Sequence, residues 1–248
     1  MTYENRSRRL FMEQDPRGAE HWGLLAQRVA EQLDDPDAVL NTRVCVGAAR
    51  LLAADEAARL ELIECQQQAV KRNLPDLAAR LALYLGWLPI LFHSYVDVER
   101  YLDEGLAFAV DHELEYWRQL VAGARVRYCL DQGRWHEAEE LAPSVLNHPE
   151  PVSLARITVL IALGRLRARR GDADATWYLD EAVGMARAHG RLEPVSGSVP
   201  ARVEALWLSG DAESARRAAE GALVTHGAAL GNPWWVGEVA VLLRRVGG

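Results

Sequence analysis

Gly133-Arg-Trp-His-Glu-Ala138, Gly171-Asp-Ala-Asp-Ala175 and Gly210-Asp-Ala-Glu-Ser-Ala215 are three versions of one pattern, a glycine followed by a helix that starts with small residues. Eight positions beyond each glycine stand Leu141, Leu179 and Ala218, and twelve beyond stand Val145, Val183 and Ala222. Positions four apart share a helical face, so each copy carries an apolar or small stripe. Counting back at the same period finds two degenerate copies: Ala54-Asp55-Glu56 leads to Leu62, and His93-Ser94-Tyr95 leads to Tyr101. The anchors 54, 93, 133, 171 and 210 are separated by 39, 40, 38 and 39 residues. Apolar residues recur elsewhere at three- and four-residue spacing, as in Leu77, Leu81, Tyr84, Leu85 and Leu88, and strand signals are almost absent. The expected fold class is all-α, an α-α superhelix of about five helix pairs with a period of ~39 residues.

The residue types fit such a unit. Glycine ends the first helix because it takes the left-handed cap without steric cost. Asp172 and Asp211 follow directly, where a carboxylate caps the second helix and faces its positive end. Ser94-x-x-Asp97 resembles a capping box with Asp in place of Glu. Ala138 and Ala215 are small enough for paired helices to approach closely. One pair cannot bury its own apolar stripe, so neighbours must stack. Turn clusters at Asp34-Asp35-Pro36-Asp37, Asn73-Leu74-Pro75, Asn147-His148-Pro149, Gly190 and Gly231-Asn232-Pro233 separate the helical segments. Residues 1–18 are expected to be an irregular N-terminal arm, and residues 19–248 a single helical-repeat domain.

Leu130-Asp-Gln-Gly-Arg-Trp-His-Glu-Ala138 and Leu208-Ser-Gly-Asp-Ala-Glu-Ser-Ala215 resemble tetratricopeptide signatures. The length of the repeats, with Gly164-Arg-Leu-Arg-Ala-Arg-Arg-Gly-Asp172 and Ala205-Leu-Trp-Leu-Ser-Gly-Asp211, is similar to the helical-repeat region of bacterial LuxR-type and related STAND-class ATPase regulators. The resemblance covers residues 37 to 246. It implies repeats that sense an inducer or partner beside a nucleotide-binding domain and, often, a DNA-binding module. The sequence holds no GxxxxGK[ST] phosphate loop and no recognisable helix-turn-helix. The expectation is a free-standing sensor or scaffold module, or a piece of a longer regulator.

Composition narrows the function classes. Lys and Arg total 28 against 35 Asp and Glu, a net charge of −7, which argues against a protein built to grip polyanionic nucleic acid. Lys71 is the sole lysine, a bias that with abundant Ala and Leu points to a GC-rich bacterial source. Cys45, Cys65 and Cys129 are widely spaced within apolar patterns, as buried hydrophobes are, and fit a reducing cytoplasm. The N-terminal residues have no apolar signal-peptide core, and no stretch is apolar for long enough to span a bilayer.

No catalytic constellation is present. His112-Glu113 and His136-Glu137 lack the second histidine of a zinc helix, so neither a metal site nor a cofactor is expected. Ser144, Ser153 and Ser196 sit in no nucleophile elbow. The run Arg165, Arg167, Arg169, Arg170 reads either as a solvated helix C-terminus or as a grip on phosphate or carboxylate. Trp135, Trp177 and Trp207 fall near turns, where packing accounts for them, whereas Trp87 and Trp234-Trp235 leave room for a contact role.

The resemblance also implies where a partner sits: the first helix of each tetratricopeptide pair lines the groove, with the residue six before each anchor facing in. That rule gives Ala48, Trp87, Arg127, Arg165 and Glu204, and the residue two before adds Leu52, Leu91, Asp131, Arg169 and Leu208. Arg127, Arg165 and Arg169 beside Trp87 would form a cationic strip for an acidic peptide. Equally open is internal neutralisation of these arginines by Asp131 and other acids. The expected function is non-catalytic protein or peptide binding in signalling; the alternatives are a nucleic-acid-associated regulator and a small-inducer sensor.

Overall fold

The computed structural model describes residues 2–188, 197–226 and 233–247. Helices and the short connections between them make up the described residues. Packing divides the chain into two compact units, residues 1–121 and 122–248.

In the first unit α1 (Tyr3–Met12), α2 (Pro16–Gln32), α3 (Pro36–Leu52), α4 (Ala57–Lys71), α5 (Pro75–Leu91) and α6 (Val98–Asp111) follow in order. The unit boundary falls within α7 (Glu115–Asp131). Each of α1 to α5 packs on the next, and α3 also touches α1 and α5. Leu40, Leu62, Leu81, Leu85 and Tyr101 belong to the shared core of α3 to α6.

The second unit continues with α8 (Trp135–Leu141), α9 (Pro143–Leu146), α10 (Ser153–Arg170) and α11 (Ala175–Ala188). It ends with α12 (Ser198–Leu208), α13 (Ala212–His226) and α14 (Pro233–Gly247). Here α10 packs on α11 and α12, and α12 packs on α13 and α14. Two core clusters result, one around Ile157, Leu160 and Leu179, the other around Val203, Ala215, Trp235 and Val239. Ala138 and Ala215 are 1% and 0% exposed, as close helix approach requires.

All five anchors are left-handed: φ is +64° at Ala54, +54° at His93, +73° at Gly133, +82° at Gly171 and +86° at Gly210. The same conformation closes the connections between pairs at Asp34, Asn73 and Glu113, and Gln14, one period before Ala54, closes the α1–α2 turn. From Gln14 to Gly133 a left-handed residue therefore recurs every nineteen or twenty residues. At each one the next residue donates its N–H to the carbonyl five positions back, as in Asp55 to Arg50, Arg134 to Cys129 and Asp211 to Leu206, at 2.8–3.2 Å. That is the Schellman closure, which satisfies carbonyls the helix end leaves open.

A second recurring feature escaped the forward count. Gly47, Gly86 and Gly164 each lie seven residues before an anchor, inside the first helix of a pair. A Cβ at these sites would come within 2.9 Å of Leu62, 2.5 Å of Leu102 and 2.6 Å of Leu179. Leu62 and Leu179 are the apolar residues found eight beyond the anchors, so bare backbone on one helix receives the leucine of the next.

Several local expectations change. The first eighteen residues are not an irregular arm: Thr2 accepts from the N–H of Asn5 to start α1, Ser7 Oγ donates to Ala19 O at 2.6 Å, and Pro16 opens α2. The polar composition hid this helix: Ser7 is its one buried residue, so no apolar run marks it in the sequence. Ser94 does not cap α6. The residue preceding that helix is Asp97, itself left-handed at φ +59°, and its carboxylate faces Arg59 and Arg100. Asp211 does cap α13, accepting from Ser214 N at 3.0 Å, and this bond holds its carboxyl below the ordinary range. Asp172 instead lies 3.4 Å from Arg167. Asp35 caps α3, with bonds from Asp37 N and Ala38 N. Gly190, Ser196 and Gly231-Asn232 lie outside the described residues.

Candidate functional site

The groove residues inferred for the second unit do converge, but as a closed ion network. Arg165 on α10 is 3% exposed, with Nε 3.4 Å from Glu204 of α12 and Nη2 donating to Glu238 of α14. Arg169, one turn on, donates from Nε to the other oxygen of Glu204 at 2.7 Å. Arg127 on α7 donates to both oxygens of Asp131 at 2.9 and 3.0 Å. Burial works against the Arg165 cation, yet the fields of Glu238, Glu204 and Asp131 outweigh it and raise its pKa. Three guanidiniums thus face three carboxylates. The expected strip of unpaired arginines is replaced by internal neutralisation, because a buried cation without a counter-charge costs several kcal/mol, on the order of the Born penalty after relaxation.

The remaining arginines of the run follow suit. Arg167 lies 3.4 Å from both Asp172 and Asp174, and Arg170 lies 2.6 Å from Glu139. Glu238 was missed because it stands on α14, past the last of the five anchors, where the groove rule was not applied. Ala48 and Leu52 are core residues at 2% exposure and line no open surface. Leu91 is partly buried in the same core and Leu208 is exposed.

Trp87 belongs to the first unit, where it packs half-buried against the α3–α6 core. One and two turns before it on the same face of α5 stand Tyr84 and Arg80, at positions i, i+4 and i+7. Arg80 is 5% exposed. Its Nη2 donates to Asn41 Oδ1 on α3, while its buried Nε–H has no hydrogen-bond partner. Among the described residues no carboxylate lies within ion-pairing distance of it. The Tyr84 ring stands 5.2 Å from that of Phe11 on α1. Burial pushes the Cys45 thiol up to about 11, partly opposed by Arg80, and burial likewise raises the Tyr84 hydroxyl against Arg80. The Arg80 cation thus acts on Cys45 of α3 and on Tyr84 of its own helix.

Other candidates resolve into local structure. His112 stacks on Phe108 with Nδ1 3.0 Å from its carbonyl, and His136 lies 3.3 Å from Glu140 on an exposed surface. Among the described residues no three His, Cys, Asp or Glu side chains gather as a metal site would need. No described helix is long and apolar enough to cross a membrane. Trp235 is buried in the α12–α14 core, while Trp234 is half exposed. Comparison with family models, curated proteins and solved structures finds no match.

Proposed function

We propose that the chain is a non-catalytic binding module of tetratricopeptide type, a stack of helix hairpins whose partner is a protein or peptide. The observation that supports it most is the turn register: five anchors 38 to 40 residues apart, each left-handed, with the flanking helices packed together at Ala54, His93, Gly171 and Gly210. Such a scaffold presents the first helices of successive pairs side by side. The contacts of α3 with α5, and of α10 with α12, arrange them so within each unit. Side chains on those helices then form a continuous surface held by rigid elements, which suits recognition.

A role in bacterial signalling belongs to the same proposal and rests on the sequence resemblance alone. A nucleic-acid partner is less favoured, since Arg165, Arg167, Arg169 and Arg170 all face carboxylates of their own chain. The test is affinity capture with the tagged full chain, followed by reconstitution from purified components and calorimetry. A saturable complex of fixed stoichiometry, with neither component covalently changed, is expected. Chemical conversion of the captured molecule, or failure of every captured candidate to rebind when pure, overturns the reading.

A further inference from the structure

We propose that the α3–α5 face of the first unit is a receptor for a single carboxylate carried on an apolar body, with the Arg80 guanidinium as its anion anchor. A guanidinium has five donors in a rigid fork that matches a carboxylate. In Arg80 one of them reaches the neutral amide of Asn41, and Nε–H reaches nothing. At 5% exposure such a cation is expensive to bury unless a counter-charge arrives. The protein supplies counter-charges elsewhere: the equally buried Arg165 has two carboxylates from neighbouring helices. At Arg80 the corresponding partner is left to a ligand.

The surroundings define its class. Arg8, the other cation acting on Cys45 and Tyr84, lies 3.9 Å from Glu4, so the charges acting there leave an excess of one positive charge. One charge suits a monoanionic carboxylate, whereas a phosphate dianion would leave the site net negative. Tyr84 and Trp87 continue from Arg80 along α5, and Phe11 stands beside Tyr84, so the body attached to that carboxylate meets aromatic surface. A free organic acid and an acidic peptide both offer this chemistry, and the inference does not depend on the partner being a protein.

The experiment uses the full chain with two matched pairs of probes. The first pair is 4-phenylbutyrate and its primary amide; the second is a capped peptide with one Glu among Leu and Ala, and its Gln counterpart. Binding is read by thermal midpoint and by the indole signals of the tryptophans, at millimolar probe. At least one acid should bind tenfold or more tightly than its amide, and Arg80→Gln should erase that preference. Binding of the free acid alone identifies a small inducer, supports this inference and goes against the protein-partner reading. Binding of the peptide alone supports both. Wild-type protein that treats every acid and amide alike overturns the inference whether or not Arg80→Gln folds, and so does a folded Arg80→Gln that keeps the preference. In either case the protein-partner reading still stands or falls on the reconstitution.

Discussion

The two units close their helices in the same way with opposite residues. In the first, every left-handed position is a non-glycine: Gln14, Asp34, Ala54, Asn73, His93, Asp97 and Glu113. In the second, among the described residues, every one is a glycine: Gly133, Gly171, Gly197 and Gly210. The backbone closure is nonetheless shared, with Asp55 N to Arg50 O and Arg134 N to Cys129 O at 3.0 and 2.8 Å. Helix packing, then, imposes the turn, and glycine only lowers its cost. For an L-residue such as Ala54 that cost is about 1–2 kcal/mol, less for Asn or Asp. The units also treat a buried arginine differently: Arg165 is enclosed by Glu204 and Glu238, while Arg80 meets only Asn41. One arginine joins helices; the other keeps an open valence.

The largest expected effect separates these arginines. Arg165→Met takes a shared cation from Glu204 and Glu238, and should cost about 2–4 kcal/mol, tempered because Glu204 keeps Arg169 and Glu238 is one-third exposed. Arg80→Met removes a buried charge without stranding a carboxylate, and should be neutral or stabilising by up to about 2 kcal/mol. Urea unfolding of both variants measures this. Equal losses would mean that Arg80 is a structural staple like Arg165, and the contrast between the units would collapse.

The next effect tests what the units share. Gly86→Ala and Gly164→Ala drive a methyl into Leu102 and Leu179 respectively, with contacts of 2.5 and 2.6 Å before relaxation. Overpacking should outweigh the helix-propensity gain and cost about 1–3 kcal/mol in each unit. A loss in only one unit would show that the two do not use the same helix contact.

Smaller still is the reciprocal exchange of turn residues. Gly133 has φ +73° and nothing within 4 Å of an added Cβ, so Gly133→Ala pays only for conformation, about 1 kcal/mol. Ala54→Gly should gain somewhat less than that, because the freer unfolded chain offsets part of the relief. Denaturant midpoints moving in opposite directions sharpen the comparison. If both fall, glycine is not what distinguishes the turns.

How far the sequence could be read follows from the same contrast. The second unit's hairpins announce themselves through Gly133, Gly171 and Gly210, while Ala54 and His93 emerge only by counting a period back from them. The register was therefore legible even where the local signal was absent. Counts of six and two back from each anchor passed over Gly47, Gly86 and Gly164 at seven, whose role is a close approach to residues on another helix. The candidate site was less legible. Arg127, Arg165 and Arg169 were found, but a sequence does not say whether a guanidinium meets an acid from another helix, and Glu238 stands on α14, past the last anchor. Arg80 sits thirteen residues before its anchor, outside the rule for groove positions. Its significance depends on what is missing around it, which is a property of the folded state.

The smallest effect is alkaline, and it too divides the units. Burial, named first among the causes for each, pushes the thiols of Cys45 and Cys65 in the first unit and Cys129 in the second up to about 11. Exposed by unfolding, each returns to about 9.0. Below pH 9 both states hold their protons and stability is unaffected. Between pH 9 and 11 the unfolded chain loses protons that the folded chain keeps, so stability falls as pH rises. The first unit carries two such thiols and the second one; Tyr84, also raised by burial, adds to the first. Peptide-resolved hydrogen exchange in urea, compared at pH 8 and pH 10 after correction for intrinsic exchange, should show the greater weakening in residues 2–121. Cys45→Ala should remove part of that excess. Arg80→Met should enlarge it, because Arg80 is the stronger of the two cations, with Arg8, that oppose burial at Cys45. An Arg80→Met protein whose alkaline loss is no steeper than wild type would mean that the Arg80 charge does not reach Cys45, and the open valence assigned to it would lose one of its walls.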